Sequence, residues 1–232
     1  MSFRGWYPLA LSRDIAPGTS TGTRVHGSEF VIWRDDKGGA HVWEDRCPHR
    51  GMKLSFGFVR GDHIACLYHG WQYDTAGQCR YIPAHPDLTV PKTIKVPRFS
   101  VAEAGGVIWG CFSEEDDDAP PAPKLPVAAA ALRSIFADCP APLLVERVGL
   151  LDVEGLTPDV STIDDRILEV RLGGNTLIAC VQPVADKESA LHIVAMEELD
   201  AAQMKPLALW AEELRRDAES FARKAAIREI AA

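Results

Sequence analysis

The chain has 232 residues, of which 47% are hydrophobic and 25% charged, and a formal net charge of −8. This composition is ordinary for a globular protein with a substantial core in one large or two small units. The acidic balance excludes nucleic acid and anionic membrane as expected partners. No run approaches the roughly eighteen apolar residues of a spanning helix, and the start at Met1-Ser2-Phe3-Arg4-Gly5-Trp6 lacks a secretory apolar core, so a cytoplasmic protein is expected.

In chain order, residues 5–113 read as short strands separated by turns. Phe30-Val31-Ile32-Trp33, then Asp35–Gly39, then Ala40-His41-Val42-Trp43 is a hairpin pattern. Val59–Gly61 with Asp62-His63 leads into a strand carrying Cys66, Trp71–Gln78 reads as strand and turn, and Val107–Phe112 as a further strand. The segment holding Pro83, Pro86, Pro91 and Pro97 is expected to be extended loop, because proline removes backbone donors. Glu114-Glu115-Asp116-Asp117-Asp118, followed by four prolines to Pro126, reads as an exposed linker. Beyond it, Leu143–Leu150, Ile167–Leu172, Thr176–Val184 and Ala190–Glu197 look like strands, with Gly173-Gly174-Asn175 as a tight turn. Leu207, Trp210, Leu214, Ala218, Phe221 and Ala225 recur at helical spacing and predict an amphipathic C-terminal helix, with Glu212–Arg216 and Glu219–Arg223 as supporting pairs. The expected fold is mainly β: an all-β domain over 1–113, a linker over 114–126, and a small α+β domain over 127–232 whose antiparallel sheet carries the long helix.

Chemistry concentrates in two loops. Cys47-Pro48-His49-Arg50-Gly51 and Cys66-Leu67-Tyr68-His69-Gly70-Trp71 pair one cysteine with one histidine each, as C-x-H and C-x-x-H. That is the ligand set of a Rieske [2Fe–2S] cluster, with two thiolates on one iron and two imidazoles on the other. Zinc also takes two cysteines and two histidines, but its modules usually pair cysteine with cysteine and histidine with histidine. Gly51 and Gly70 allow close approach of backbone to inorganic sulfur. Pro48 stiffens the first loop. Arg50, Tyr68, Trp71 and Tyr73 complete the expected surroundings, the aromatics as a shield or as ordinary core. Cys79, Cys111, Cys139 and Cys180 are scattered and read as small buried hydrophobes.

C-P-H-R-G with C-L-Y-H-G-W-Q-Y resembles the Rieske domain of the ring-hydroxylating and demethylating non-haem iron oxygenases, over roughly residues 5–113. Respiratory Rieske proteins carry a further cysteine in each loop, where this chain has Met52 and Leu67. They also place a serine that donates to a cluster sulfur where this chain has Trp71. The resemblance therefore implies a potential toward the low end of the Rieske range. The region after the linker looks like a shortened form of the family's helix-grip catalytic domain.

That family activates dioxygen at a mononuclear iron held by two histidines and a carboxylate. Here only one of seven histidines, His192, falls after the linker. It sits in an apolar stretch where a core histidine is the commoner case, and Asp152, Glu154, Asp159, Asp164 and Asp165 are the carboxylates available to an unusual site. A mononuclear iron is not expected, and the segment bearing its ligands reads as missing. The resemblance then implies an electron-transfer component or non-catalytic subunit of a Rieske oxygenase system. Its partners would be a reductase or ferredoxin and a full-length oxygenase subunit, in a homo- or hetero-trimer or hexamer. A small self-contained oxygenase and a structural or redox-sensing subunit are the alternatives. No nucleotide-binding glycine motif is present.

Overall fold

The computed structural model describes residues 3–113, 120–153, 155 and 157–230; the acidic run Glu114–Asp118 and Glu154 lie outside them. The N-terminal strands are β1 (Gly5–Leu11), β2 (Ser20–Val25), β3 (Ser28–Arg34), β4 (Ala40–Glu44), β5 (Phe58–Arg60), β6 (His63–Ala65), β7 (Gln72–Asp74), β8 (Cys79–Tyr81), β9 (Arg98–Ala104) and β10 (Val107–Phe112). The C-terminal elements are β11 (Ala130–Ala137), α1 (Ala141–Val148), β12 (Asp159–Asp164), β13 (Ile167–Leu172), β14 (Asn175–Ala185), β15 (Glu188–Ala195) and α2 (Ala201–Ile230). They form three antiparallel sheets, ordered β1-β10-β9-β4-β3-β2, β5-β6-β7-β8 and β11-β15-β14-β13-β12. The fold is mainly β, with a long C-terminal helix, as the sequence patterns indicate.

β3 shows how the layers are stacked. Successive side chains in a strand point to opposite faces. Phe30 and Ile32 enter a core with Tyr7, Leu9, Val42 and Phe112. Val31 and Trp33 point the other way, into a core shared with Trp43, Cys47, Cys66 and Tyr73. The small sheet, whose β6–β7 connection is the second loop, is thus packed on one face of the six-stranded sheet, from which the first loop leaves.

The same alternation in β14 joins the two halves. Ile178 and Cys180 pack with Leu11, Val107 and Trp109 of the N-terminal sheet. Leu177, Ala179 and Val181 face the opposite core, filled by Leu207, Trp210, Leu214 and Ala218 of α2. Two backbone bonds reinforce the join: the turn between β2 and β3 donates from His26 and Gly27 to the carbonyls of Pro183 and Val184, at 2.9 and 2.8 Å.

Most strands fall where the patterns place them, including Ile167–Leu172 and Val107–Phe112. Gly173 and Gly174, both at positive φ (57° and 80°), make the tight turn between β13 and β14. The expected strand at 143–150 is instead helix α1. A short apolar run does not distinguish strand from buried helix, and here Pro140 and Pro142 open a helix whose Leu144 and Val148, four apart, are the buried pair. Strands β11 and β12 were not anticipated by the pattern. On α2 the buried stripe ends at Ala218; Phe221 is 47% exposed, under the Arg147 guanidinium, and Ala225 is exposed. Arg216 and Arg223 do reach Glu212 and Glu219, at 3.3 and 3.8 Å.

Candidate metal centre

The first loop leaves β4 and the second connects β6 to β7, and the two have the same backbone scheme. In each, the glycine four residues after the cysteine donates to the cysteine carbonyl: Gly51 to Cys47 at 2.8 Å, Gly70 to Cys66 at 2.9 Å. In each, the cysteine N–H donates to the residue five later, Met52 at 2.8 Å and Trp71 at 2.9 Å. Closing so tight a turn puts the glycines at φ 73° and 69°, a region that strains a side-chain-bearing residue. Gly70 is further fixed by close packing, since a Cβ there would stand 3.0 Å from Pro83. Asp45, buried at the root of the first loop, accepts from the Ser55 N–H and hydroxyl at 2.7 and 2.6 Å.

The matched loops bring like ligands together. The Cys47 and Cys66 side chains are buried, 2% and 3% exposed. Each thiol touches the other, and this contact splits their acidities. The Cys47 thiol is held down to about 5, because its thiolate accepts from Cys66 and then from the Tyr73 hydroxyl. The Cys66 thiol is pushed up by the same contact and by burial. His49 and His69 lie edge to face, 4.7 Å between centroids, with His49 half-buried and His69 exposed. The thiols form the inner pair and the imidazoles the outer pair.

The aromatics expected around the site each meet one of these four. Trp71, from the second loop, stacks on His49 of the first at 4.2 Å and 6° between planes. Tyr68 leans on His69 at 3.8 Å and stays 54% exposed. Tyr73 is fully buried in β7, and its hydroxyl lies 3.1 Å from the Cys47 sulfur. Burial and the thiolate both raise the Tyr73 pKa, so it remains a phenol and donates. The sequence reading gave Tyr73 only a shielding role. Its hydroxyl is a donor toward one of the proposed ligand sulfurs. Arg50 is exposed at the rim.

Two adjacent thiols, one already favoured as thiolate, and two adjacent imidazoles fit a [2Fe–2S] cluster with two ligands of one type on each iron. Among the described residues no three His, Cys, Asp or Glu side chains close on a single point as a one-ion site requires. The other cysteines are buried free thiols, with Cys79 pushed up to about 11 and Cys180 to about 12 by burial.

His192 lies on β15 of the C-terminal sheet, outside the two loops. It is wholly buried between β14 and β11. Its Nε2 lies 2.8 Å from Gln182 Oε1 and its Nδ1 2.8 Å from the Ser134 hydroxyl. Gln182 Nε2 donates in turn to Thr23 Oγ1 and the Arg24 carbonyl, at 2.8 and 2.7 Å. Asp152, meanwhile, caps its own loop by accepting from Gly155 N and Thr157 Oγ1.

The family model described as the Rieske [2Fe-2S] domain matches residues 5–98. The oxidoreductase NdmD of Pseudomonas putida is 41% identical over 105 residues, 45% of this chain and 18% of that protein. Protein TIC 55, chloroplastic, of Arabidopsis thaliana is 38% identical over 123 residues, 52% of this chain and 22% of that one. The matches thus span less than a quarter of either relative. The solved structure of dicamba monooxygenase bound to dicamba superposes on 98% of this chain and 89% of its own, with a TM-score of 0.78 at 19% identity. That likeness is one of fold, and it extends through the C-terminal sheet and helix.

Proposed function

We propose that this chain, whose residues 5–98 match the Rieske [2Fe-2S] domain, is the electron-transfer component, or a non-catalytic subunit, of a Rieske oxygenase system. In this reading it takes single electrons from a reductase or ferredoxin and relays them to a mononuclear iron held by another chain, within a trimeric or hexameric assembly. It is divided into a cluster-bearing unit (1–113), a linker (114–126) and a second unit (127–232). Cys47 and Cys66 would hold one iron, and His49 and His69 the other. When bound, such a cluster supplies reversible one-electron chemistry.

One contrast carries this reading. The four loop ligands converge by type, while the single histidine after the linker is fully buried with both ring nitrogens engaged by Gln182 and Ser134. The face of the C-terminal sheet that meets α2 is also packed with Leu177, Leu191, Trp210 and Leu214. No helix among the described residues is long and apolar enough to cross a membrane.

The protein's own groups then have definite tasks. The buried Cys47 and Cys66 thiolates would hold one iron of the cluster. Trp71 excludes water from one face of His49 and fixes its ring plane, while the exposed His69 edge offers a route to a partner. Anaerobically prepared protein is expected to hold two irons and two sulfides per chain and, once reduced, to pass its electron to a mononuclear-iron oxygenase. A third iron that disappears in His192→Ala while the cluster signal stays would sink the proposal in favour of a self-contained oxygenase.

Tyr73 supplies a sharper test of the inner pair. A donor to a thiolate sulfur stabilises the reduced, more negative centre more than the oxidised one. Losing it should cost about 1 kcal/mol of that difference, roughly 40 mV at 59 mV per tenfold. Tyr73→Phe is thus expected to lower the midpoint potential by that amount with the iron content unchanged, as protein-film voltammetry would measure. An unshifted potential would remove the hydrogen bond from the account.

A further inference from the structure

Beside His49 lies an open recess of about 390 Å³, lined by Arg46, Arg50, Lys95 and one carboxylate, Glu44, with His49 itself in the wall. Arg46, Arg50 and Lys95 are exposed and form no ion pair among the described residues. Several other cations of the N-terminal half have a carboxylate partner, Arg80 in Asp62, Arg34 in Glu103, Lys53 in Glu29 and Arg24 in Glu188, whereas here three without one line a single recess. The chain as a whole carries −8. Yet screening confines exposed charges to roughly 8 Å at physiological ionic strength, so a partner arriving at this recess meets the three cations and not the distant acids.

We infer that this recess is the docking ground for a small, acidic one-electron carrier protein that reduces the chain at its His49 edge. The inference rests on the electron-relay reading and names the donor side of that relay. Charge complementarity selects the occupant: three unneutralised cations around one proposed ligand attract a carboxylate-rich face and repel a basic one. In the transfer one electron leaves the reduced carrier and enters this chain. No bond forms or breaks, and no further reductant is required. The sign is opposite to that suggested by net charge, which would have this protein seek a basic partner.

The test uses the cluster-loaded protein and a reduced acidic [2Fe–2S] ferredoxin as probe, reading both complex formation by calorimetry and the second-order reduction rate by stopped flow. Both are expected to weaken steeply as salt rises. Arg46→Glu with Lys95→Glu should slow reduction about tenfold or more and flatten the salt dependence. Lys205→Glu, on α2 across the C-terminal sheet, should change neither. A neutral photoreduced flavin should reduce all variants alike, which separates docking from damage to the centre. Should the double variant fail to load its cluster, Lys95→Glu alone carries the test, with about a threefold slowing expected. Salt-independent reduction of the parent, or equal rates in parent and charge-reversed protein, would overturn the docking site. A protein that accepts the ferredoxin's electron but delivers it to no oxygenase would leave the docking site standing and refute the relay.

Discussion

Cys66→Ser is expected to yield a protein with neither iron nor sulfide and with a destabilised N-terminal half. Cys66 is 3% exposed and shares a core with Trp33, Trp43, Ile64 and Tyr73. Each loop closes on only two backbone bonds, from Gly51 and Cys47 in one and from Gly70 and Cys66 in the other. Such loops gain most of their order from what they bind, because metal-binding free energy contributes directly to folding. Loss of a metal centre belongs to the small class of changes that cost on the order of 4–5 kcal/mol. In a chain of this length that lowers the thermal midpoint by roughly 10–20 °C. Cys47→Ser and His69→Ala should behave similarly. Cys79→Ala is the internal contrast, since Cys79 lies in the same core, 1% exposed, without belonging to either loop. It should retain two irons, measured by colorimetric iron and sulfide assay, with a thermal midpoint close to the parent's. Iron lost from Cys79→Ala, or kept by Cys66→Ser, would refute the assignment of ligands to the two loops.

What could be read from sequence here was what depends on local pattern. The C-x-H and C-x-x-H spacings, the positive-φ glycine turn at Gly173-Gly174, the continuous apolar run of β10 and the alternation of β13 are each written within a few residues. The 143–150 segment was misread because its apolar run suits a strand and a buried helix equally. The deciding information was that Leu144 and Val148 meet α2 and the sheet, which is tertiary. Tyr73 was misjudged for a similar reason. It stands 26 residues from Cys47, and only the pairing of β7 with β6, Tyr73 opposite Ile64, aims its hydroxyl at the first loop. The basic recess was hidden by summation: a net charge of −8 says nothing about where Arg46, Arg50 and Lys95 are left unpaired. His192 was read as a core residue from its apolar neighbours, but its partners Ser134 on β11 and Gln182 on β14 come from other strands, and Gln182 carries the network on to β2.

That buried histidine makes a definite contribution to the protein's acid stability. Gln182 uses its NH₂ to donate to Thr23 and Arg24, so its Oε1 can only accept, and His192 Nε2 must carry the proton. Nδ1 then accepts from the Ser134 hydroxyl, and the ring is held as one neutral tautomer. Burial lowers its pKa from 6.5 to about 4. Below 6.5 the unfolded chain therefore binds a proton that the folded chain refuses, and stability falls as pH drops from 6.5 toward 4. Above 6.5 neither state is protonated and the contribution is complete. Across that window the loss is on the order of 3 kcal/mol. It strikes at a junction between the halves, since the His192–Gln182 pair is what reaches Thr23 and Arg24 on β2. His192→Gln keeps a donor toward Gln182 but cannot titrate. The variant should start less stable at pH 7.5 and lose less on acidification, so that urea-unfolding free energies of the two proteins converge between pH 7 and 4.5. Parallel curves over that range would mean that His192 is protonated in the folded protein, and the buried neutral network would be wrong.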